Sequence, residues 1–529
     1  MATLHMFFLV TTTILFALLL LLRFRRVRGD GRRLPPGPPS LLLLFSAAWL
    51  GLTSSPAEAE PLLQRLVRRY GPIVSLRVGS RLAIFVADRR LAHTVLVQRG
   101  AALADRPSFA SARILGADDN YSVTRAGYGP VWRLLRRNLV AGTVHPSRAR
   151  RFAPARFWAR SVLVDKLRRL ADDGEAPAPV TPSFQYAVFY LLLIMCFGER
   201  LDEKVVRAIA AAQHEQVRYM FGKMSVFAFL PSVAEHLFRG RVRKMLSLRR
   251  RQKELFLPLI DARREYKDKK RGGEGEPRRS KSGTTLEHSY VDTLFDVRLP
   301  EEGNRGLTDD EMVNLCSEFL TAGADTTSTA LHWIMAELVK NQAVQQRLYE
   351  EIKAKTKDGH EEVSEEDIQN MPYLKAVVLE GLRKHPPVHF VLPHMAAEDV
   401  EVGGYLVPKG ATVNFMVAEM GRDEREWEKP MEFIPERFLE GEQGVDMTGS
   451  TGIRMMPFGV GRRICAGLNI AVLHLLYLVA NMVREFEWKE AAGHEVDLAE
   501  KLEFMVVMKK ELRPRLVPRK PNMQTEEHL

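Results

Sequence analysis

The tightest constraint in this chain is a short loop around one cysteine, Phe458-Gly459-Val460-Gly461-Arg462-Arg463-Ile464-Cys465-Ala466-Gly467, after which a long apolar run begins at Leu468. Glycines let the backbone turn tightly and approach a flat ligand. A helix that starts just past the sulfur brings its positive dipole end beside a thiolate. Arg463, two residues before the cysteine, can reach a carboxylate on the same ligand. Each choice suits a thiolate that binds iron. A lone cysteine is ordinarily a small buried hydrophobe. The spacing F-x-x-G-x-R-x-C-x-G fixes five positions in ten and argues against that reading.

Composition narrows the alternatives. The 529 residues are 46% hydrophobic, enough for a large core, and Cys196, Cys316 and Cys465 stand far apart, which excludes a disulfide scaffold. No C-x-x-C pair or H-E-x-x-H spacing marks a zinc site. The formal net charge is +12. The chain lacks helix-turn-helix, zinc-finger and aromatic-basic RNA patterns, so nucleic acid is not the expected partner. An anionic membrane surface or an acidic protein suits the charge better.

The amino terminus reads as an anchor. Met6 to Leu22 is an uncharged apolar run, about 25 Å long at ~1.5 Å per residue. Arg23, Arg25, Arg26 and Arg28 follow it and no lysine or arginine precedes it. That charge order predicts an uncleaved signal anchor with a lumenal start and a cytosolic body; a cleaved signal peptide has the reverse order. Residues 1–33 form this anchor and its basic flank. Residues 34–40, with Leu34-Pro35-Pro36-Gly37-Pro38-Pro39, are a stiff hinge, and 41–529 the globular domain.

Beyond the hinge the pattern is mainly helical. Ile73 to Val78 and Leu82 to Val86 predict two strands, and Val400 to Val413 alternates around Gly403-Gly404. Met312 to Val339 carries apolar residues at helical spacing after a Leu307-Thr308-Asp309-Asp310 start. Pro386 and Pro387 stop another helix, and the basic stretch from Arg239 contains a Gly272-Gly273-Glu274-Gly275 linker.

Three constellations on these helices admit two readings each. Ala322-Gly323-Ala324-Asp325-Thr326-Thr327 sets a glycine, an acid and a hydroxyl in an apolar helix. Gly323 costs about 1 kcal/mol relative to alanine, so it needs a reason: room for a flat cofactor and dioxygen, with Asp325 and Thr326 relaying protons. The alternative is a threonine that bonds back to a carbonyl in a buried helix. Glu380-x-x-Arg383 is an i, i+3 pair, commonly a surface feature. Trp132 and Arg136 share a helix face after Pro130, and a core tryptophan beside a snorkelling arginine would read the same.

Together these segments resemble the cytochrome P-450 family, specifically its plant A-type endoplasmic-reticulum branch. Leu248 to Pro258 and Leu315-Cys316-Ser317-Glu318-Phe319-Leu320 are most similar to family eighty-nine. The resemblance covers essentially the whole chain. It implies a mainly α fold with a small β-rich lobe, preceded by a single transmembrane helix. It implies a haem b whose iron is held by Cys465, with Phe458, Gly459 and Gly467 shaping the loop. It implies propionate contacts from Trp132, Arg136, Arg463 and His394, where many relatives have arginine. Glu380, Arg383 and Arg437 would form a bracing network, and Asp325 and Thr326 the proton relay. Phe319, Ala322, Gly323, Val388 and Phe504 would line a lipophilic pocket, with His389 as a polar anchor. The implied activity is insertion of one oxygen atom from O2, with electrons from NADPH through a flavoprotein reductase. Arg133, Arg137, Lys429 and Arg462 are the docking candidates. A reductase-independent isomerase or dehydratase, or a haem sensor, is the alternative; the intact Asp325-Thr326 pair argues for the monooxygenase.

Overall fold

The computed structural model describes residues 33–38, 59–78, 81–107, 119–172, 177–223, 227, 237–271, 285–356, 362–439, 445–503 and 505–519. The apolar anchor run, the glycine linker at 272–275 and Phe504 lie outside these residues.

The longer helices are α1 (Ala59–Tyr70), α2 (Pro130–Leu139), α3 (Ala153–Asp172), α4 (Thr181–Phe197), α5 (Glu203–Lys223) and α6 (Arg239–Arg271). After these come α7 (Tyr290–Leu294), α8 (Asp309–Lys340), α9 (Gln342–Lys355), α10 (Pro372–Lys384) and α11 (Leu468–Glu485). Helix α8 is the central one. Its start is fixed by a capping box, in which Thr308 accepts from the Glu311 N–H and Glu311 accepts from the Thr308 N–H. Three acids in its first turn complement the helix dipole. Helix α4 is apolar all round and ends at Gly198, which takes the left-handed φ of 74°. It is accordingly buried from Ala187 to Phe197 and packs along α8.

Gly323 lies at that α4–α8 contact. A Cβ there would stand 2.8 Å from Leu192 Cδ1. The glycine therefore serves the close approach of two helices.

The β lobe is a four-stranded sheet in the order β1-β2-β6-β3, from β1 (Ile73–Val78), β2 (Arg81–Val86), β3 (His394–Met395) and β6 (Thr412–Phe415). Strands β1 and β2 are antiparallel with Ile73 opposite Val86, and β2 runs parallel to β6 with Ala83 opposite Thr412. The short hairpin β4 (Val400–Val402) and β5 (Tyr405–Val407) turns at Gly403-Gly404. The lobe has its own apolar core around Ile84, Val86, Val413 and Phe415, separate from the larger helical core around α4, α8 and α11.

The proline segment is fastened to this lobe rather than standing free as a spacer. The Ser75 N–H donates to Pro36 O at 2.9 Å, Ser75 Oγ donates to Pro35 O at 2.6 Å, and the Leu406 N–H donates to Arg33 O. A Cβ at Gly37 would stand 1.9 Å from Ser75 O, so only glycine permits the docking.

Among the described residues one helix, α11, is long and apolar enough to cross a membrane, and it is instead packed largely inside the domain.

Candidate active site

The cysteine loop is held by its own backbone. The Cys465 N–H donates to Phe458 O at 2.8 Å and the Gly459 N–H to Met456 O at 2.9 Å. Gly459 and Gly461 both adopt left-handed φ, 65° and 73°. A Cβ on Gly461 would also lie 2.0 Å from Leu96 O. Gly467 has φ −87° and space for a side chain, so its conformation does not demand glycine. Helix α11 begins at the next residue. Burial raises the Cys465 thiol above the ordinary range, while the Gly467 N–H and Arg136 pull it down. The side chain nonetheless has open surface. Open surface on a group buried deeply enough to shift describes one that faces an interior recess.

Cations converge on the same recess. Arg463 donates from Nε to Ala104 O and from Nη2 to Ala126 O, both at 2.6 Å, while its buried Nη1 has no hydrogen-bond partner. Its guanidinium carbon stands 4.2 Å from the Trp132 ring centroid. Arg136 donates to Ile464 O, one residue from the sulfur. Arg106, which the sequence did not single out, donates to Thr124 O, Leu392 O and Pro393 O. Burial first lowers both, Arg463 to about 10 with added repulsion from Arg136 and Arg106 to about 9 with added repulsion from Arg463, while Asp105 opposes both shifts. Buried arginines keep their protons, so this is buried positive charge that a further anion would offset. A group carrying two carboxylates, as haem b does, supplies the missing charge, and Arg463 Nη1 has a vacant bond for it.

Two expected members of this set are engaged differently. The Trp132 indole N–H donates to Val123 O at 3.0 Å, so it is not free for a carboxylate. His394 Nδ1 stands 2.6 Å from Leu103 O; a carbonyl only accepts, so Nδ1 carries the proton. Burial first, then Arg106, lowers this imidazole to about 3 and keeps it neutral. In that tautomer Nε2 presents a lone pair, and His394 meets a carboxylate favourably only after protonation.

The structure brings Glu380, Arg383 and Arg437 together. Glu380 is fully buried and accepts from Arg383 Nε at 2.7 Å, Arg383 Nη2 at 2.8 Å, Arg437 Nε at 3.2 Å and the Ile434 N–H at 2.9 Å. Arg383 also donates to Gly421 O and Pro430 O, and both guanidinium groups flank the Trp427 ring. This network ties α10 to the 421–437 segment that leads into the cysteine loop.

On α8, Ala322 is exposed to open space and Thr326 Oγ1 donates back to Ala322 O at 2.7 Å. The back-bonded threonine is thus present, at a place where its hydroxyl still meets open space. Asp325 Oδ1 stands 3.1 Å from His214 Nε2 of α5, a partner that no sequence signal announced. That hydrogen bond raises the His214 pKa, against partial burial and repulsion from Arg218. Phe319 is half-buried and stacks on buried Tyr290 at 4.9 Å. Val388 is half-buried next to Pro387, whose carbonyl accepts from the Val506 N–H. His389 Nδ1 stands 2.5 Å from Glu60, while its buried Nε2, 3.6 Å from Glu500, has no hydrogen-bond partner. Among the described residues no cluster of histidine, cysteine and acid side chains could hold a bare metal ion.

A thiol recessed beside a helix N-terminus, a buried cation cluster with one unpartnered guanidinium nitrogen and a helix carrying an acid–alcohol pair fit a haem-thiolate oxidoreductase. The family model described as Cytochrome P450 matches residues 35–515, and the chain belongs to that family. It is 41% identical over 499 residues to Cytochrome P450 89A9 of Arabidopsis thaliana, covering 92% of this chain and 94% of that one. A flavonoid 3'-monooxygenase of Arabidopsis thaliana is 31% identical over 504 residues, covering 93% and 92%. A solved zebra fish cytochrome P450, determined with progesterone, superposes with a TM-score of 0.69 at 22% identity, over 87% of this chain and 99% of that one, and shows the fold. The protein is therefore a haem b monooxygenase that takes O2, a small-molecule substrate and a redox partner.

Proposed function

We propose that this monooxygenase is a single-pass protein of the endoplasmic reticulum membrane, with residues 1–33 as anchor, 34–40 as hinge and 41–529 as a cytosolic catalytic domain. It inserts one oxygen atom into a lipophilic small molecule and receives electrons from NADPH through NADPH–cytochrome P-450 reductase. The observation that carries the catalytic part is the buried, unpartnered Arg463 Nη1 beside the recessed Cys465.

When bound, haem supplies the iron at which dioxygen is activated for transfer of a single oxygen atom. The protein's part is positioning and proton supply. Cys465 Sγ would hold the iron, as the thiolate. Arg463 and Arg136 would hold the haem carboxylates, while neutral His394, its N–H spent on Leu103 O, offers them no proton. Glu380, Arg383 and Arg437 keep the loop rigid, so that the sulfur need not reorganise.

On α8, Thr326 Oγ1 needs only a rotation away from Ala322 O to turn its proton toward open space. Asp325, held by His214, is the next group outward and can reload it through water. Ala322 and Val388 offer apolar walls, which suits a lipophilic substrate. The basic surface, with Arg133, Arg137, Lys429 and Arg462 all exposed, suits an acidic reductase.

Reconstitution with the reductase tests the reading. NADPH consumption stimulated by a lipophilic substrate is expected. Thr326→Ala should keep the consumption and lose product in favour of peroxide. Full coupling in that variant refutes the proton relay, and no reductase-dependent NADPH use refutes the monooxygenase cycle.

A further inference from the structure

Glu318 stands on α8, on the face that also carries Ala322 and Thr326, at spacings of i+4 and i+8. Its carboxylate is fully engaged by a neighbouring stretch of chain. Oε1 accepts from Ser122 Oγ and, at 2.6 Å, from Thr124 Oγ1; Oε2 accepts from the Val123 N–H at 2.9 Å. Ser122 is completely buried and its Oγ also accepts from the Arg125 N–H at 2.9 Å. The same stretch is stitched to α8 again by Asn314, which donates to Tyr121 O and accepts from Arg125 Nη2, both at 3.4 Å.

The other side of this segment faces the cations. Val123 uses its N–H on Glu318 and its carbonyl on the Trp132 indole. Trp132 lies under Arg463, and Arg106 donates to Thr124 O at 3.2 Å. One residue, Val123, therefore links α8 to the cation cluster. This is also why Trp132 has no N–H to spare.

We propose that Glu318 is a positioning residue: a carboxylate buckle that fastens residues 121–125 to α8 and thereby fixes the wall between the cation cluster and the open face at Ala322 and Thr326. The inference rests on the haem-site reading for the meaning of that wall, but not for the buckle itself. Three donors converge on the two carboxylate oxygens, so Glu318 is not available to pair with a basic substrate. It sets the size and stiffness of the pocket entrance beside it. Charge-assisted bonds of this kind are about twice as strong as neutral ones, and a backbone N–H held by one exchanges only when the segment opens.

The test is hydrogen exchange of residues 119–126 in the haem-loaded protein, together with binding of two probes, carbon monoxide and 4-phenylimidazole. Glu318→Ala should leave the carbon monoxide complex absorbing near ~450 nm and raise exchange at Val123 by about tenfold or more. It should also speed carbon monoxide rebinding after photolysis and change 4-phenylimidazole affinity severalfold. Glu318→Gln should restore most of the protection, because its carbonyl can take the Val123 N–H while its amide donates to the two hydroxyls.

The double change Ser122→Ala with Thr124→Val breaks the buckle from the other side and should reproduce the alanine result, which covers the case in which Glu318→Ala does not fold. Unchanged exchange and unchanged rebinding, in variants that keep the carbon monoxide band, overturn the proposal. A parent protein without that band would sink the haem-site reading and leave the exchange result standing by itself.

Discussion

Glu380→Gln is the sharpest probe of how the cysteine loop is held. The change keeps the shape and removes one charge from a network with no solvent exposure at Glu380 or at the Arg383 side chain. Four hydrogen bonds end on the Glu380 carboxylate, three of them from guanidinium groups. In the variant the Arg383 charge stays buried with only carbonyl dipoles for company, and an amide N–H2 faces at least one guanidinium N–H. Breaking a buried ion pair from one side costs about 3–5 kcal/mol. At an unfolding entropy near ~2.1 cal/mol/K per residue, a domain of this size loses about 1 °C per kcal/mol, so a fall in Tm of about 3–5 °C is expected. Haem release on heating should begin earlier still, because the network supports the segment leading into the loop.

The control is Arg347→Ala, which breaks a 2.7 Å pair with Glu436 whose two side chains are 53% and 40% exposed. Exposed pairs contribute about 0–1 kcal/mol. Differential scanning fluorimetry and the visible spectrum follow both variants. If Glu380→Gln melts within about 1 °C of the control, the buried network does not brace the loop and the reasoning fails.

Gly461→Ala should fail to yield haem-loaded protein, because the left-handed φ and the Leu96 carbonyl both exclude a Cβ; normal loading would contradict the loop geometry. Arg463→Ala should lose haem to apomyoglobin about tenfold faster or more, whereas Trp132→Phe, which breaks only the bond to Val123 O, should change that rate little; equal losses would restore Trp132 as a propionate ligand. The His214–Asp325 pair gives a pH signature. Its folded pKa is raised, so its stabilisation is complete below the ordinary value near ~6.5 and is lost as pH rises through the raised folded value. The Tm difference between parent and His214→Gln should shrink across that window; a pH-independent difference would show that the pair does not form.

What the sequence revealed follows from the range of each signal. The start of α8 was readable because a capping box is local, and the stop of α10 because proline acts on its own neighbours. The Glu380–Arg383 pair was readable because its i, i+3 spacing is a fixed local pattern. The packing of Gly323 was not legible for the opposite reason: its neighbour is Leu192, on a helix far away in the chain, and spacing on one helix cannot say which side meets which partner. The same holds for Trp132, whose N–H is claimed by Val123, and for Phe319, claimed by Tyr290. His214, Arg106 and Glu318 acquire their roles only from distant carboxylates, carbonyls and loop donors. The proline segment illustrates both cases, since its stiffness was local and its docking on Ser75 was not.

The central claim is that Cys465 supplies a thiolate to haem iron, and the carbon monoxide difference spectrum of the reduced protein measures it most directly. The parent should show a Soret band near ~450 nm, and Cys465→Ser should lose it. A parent without that band, or a serine variant that keeps it, would contradict the account.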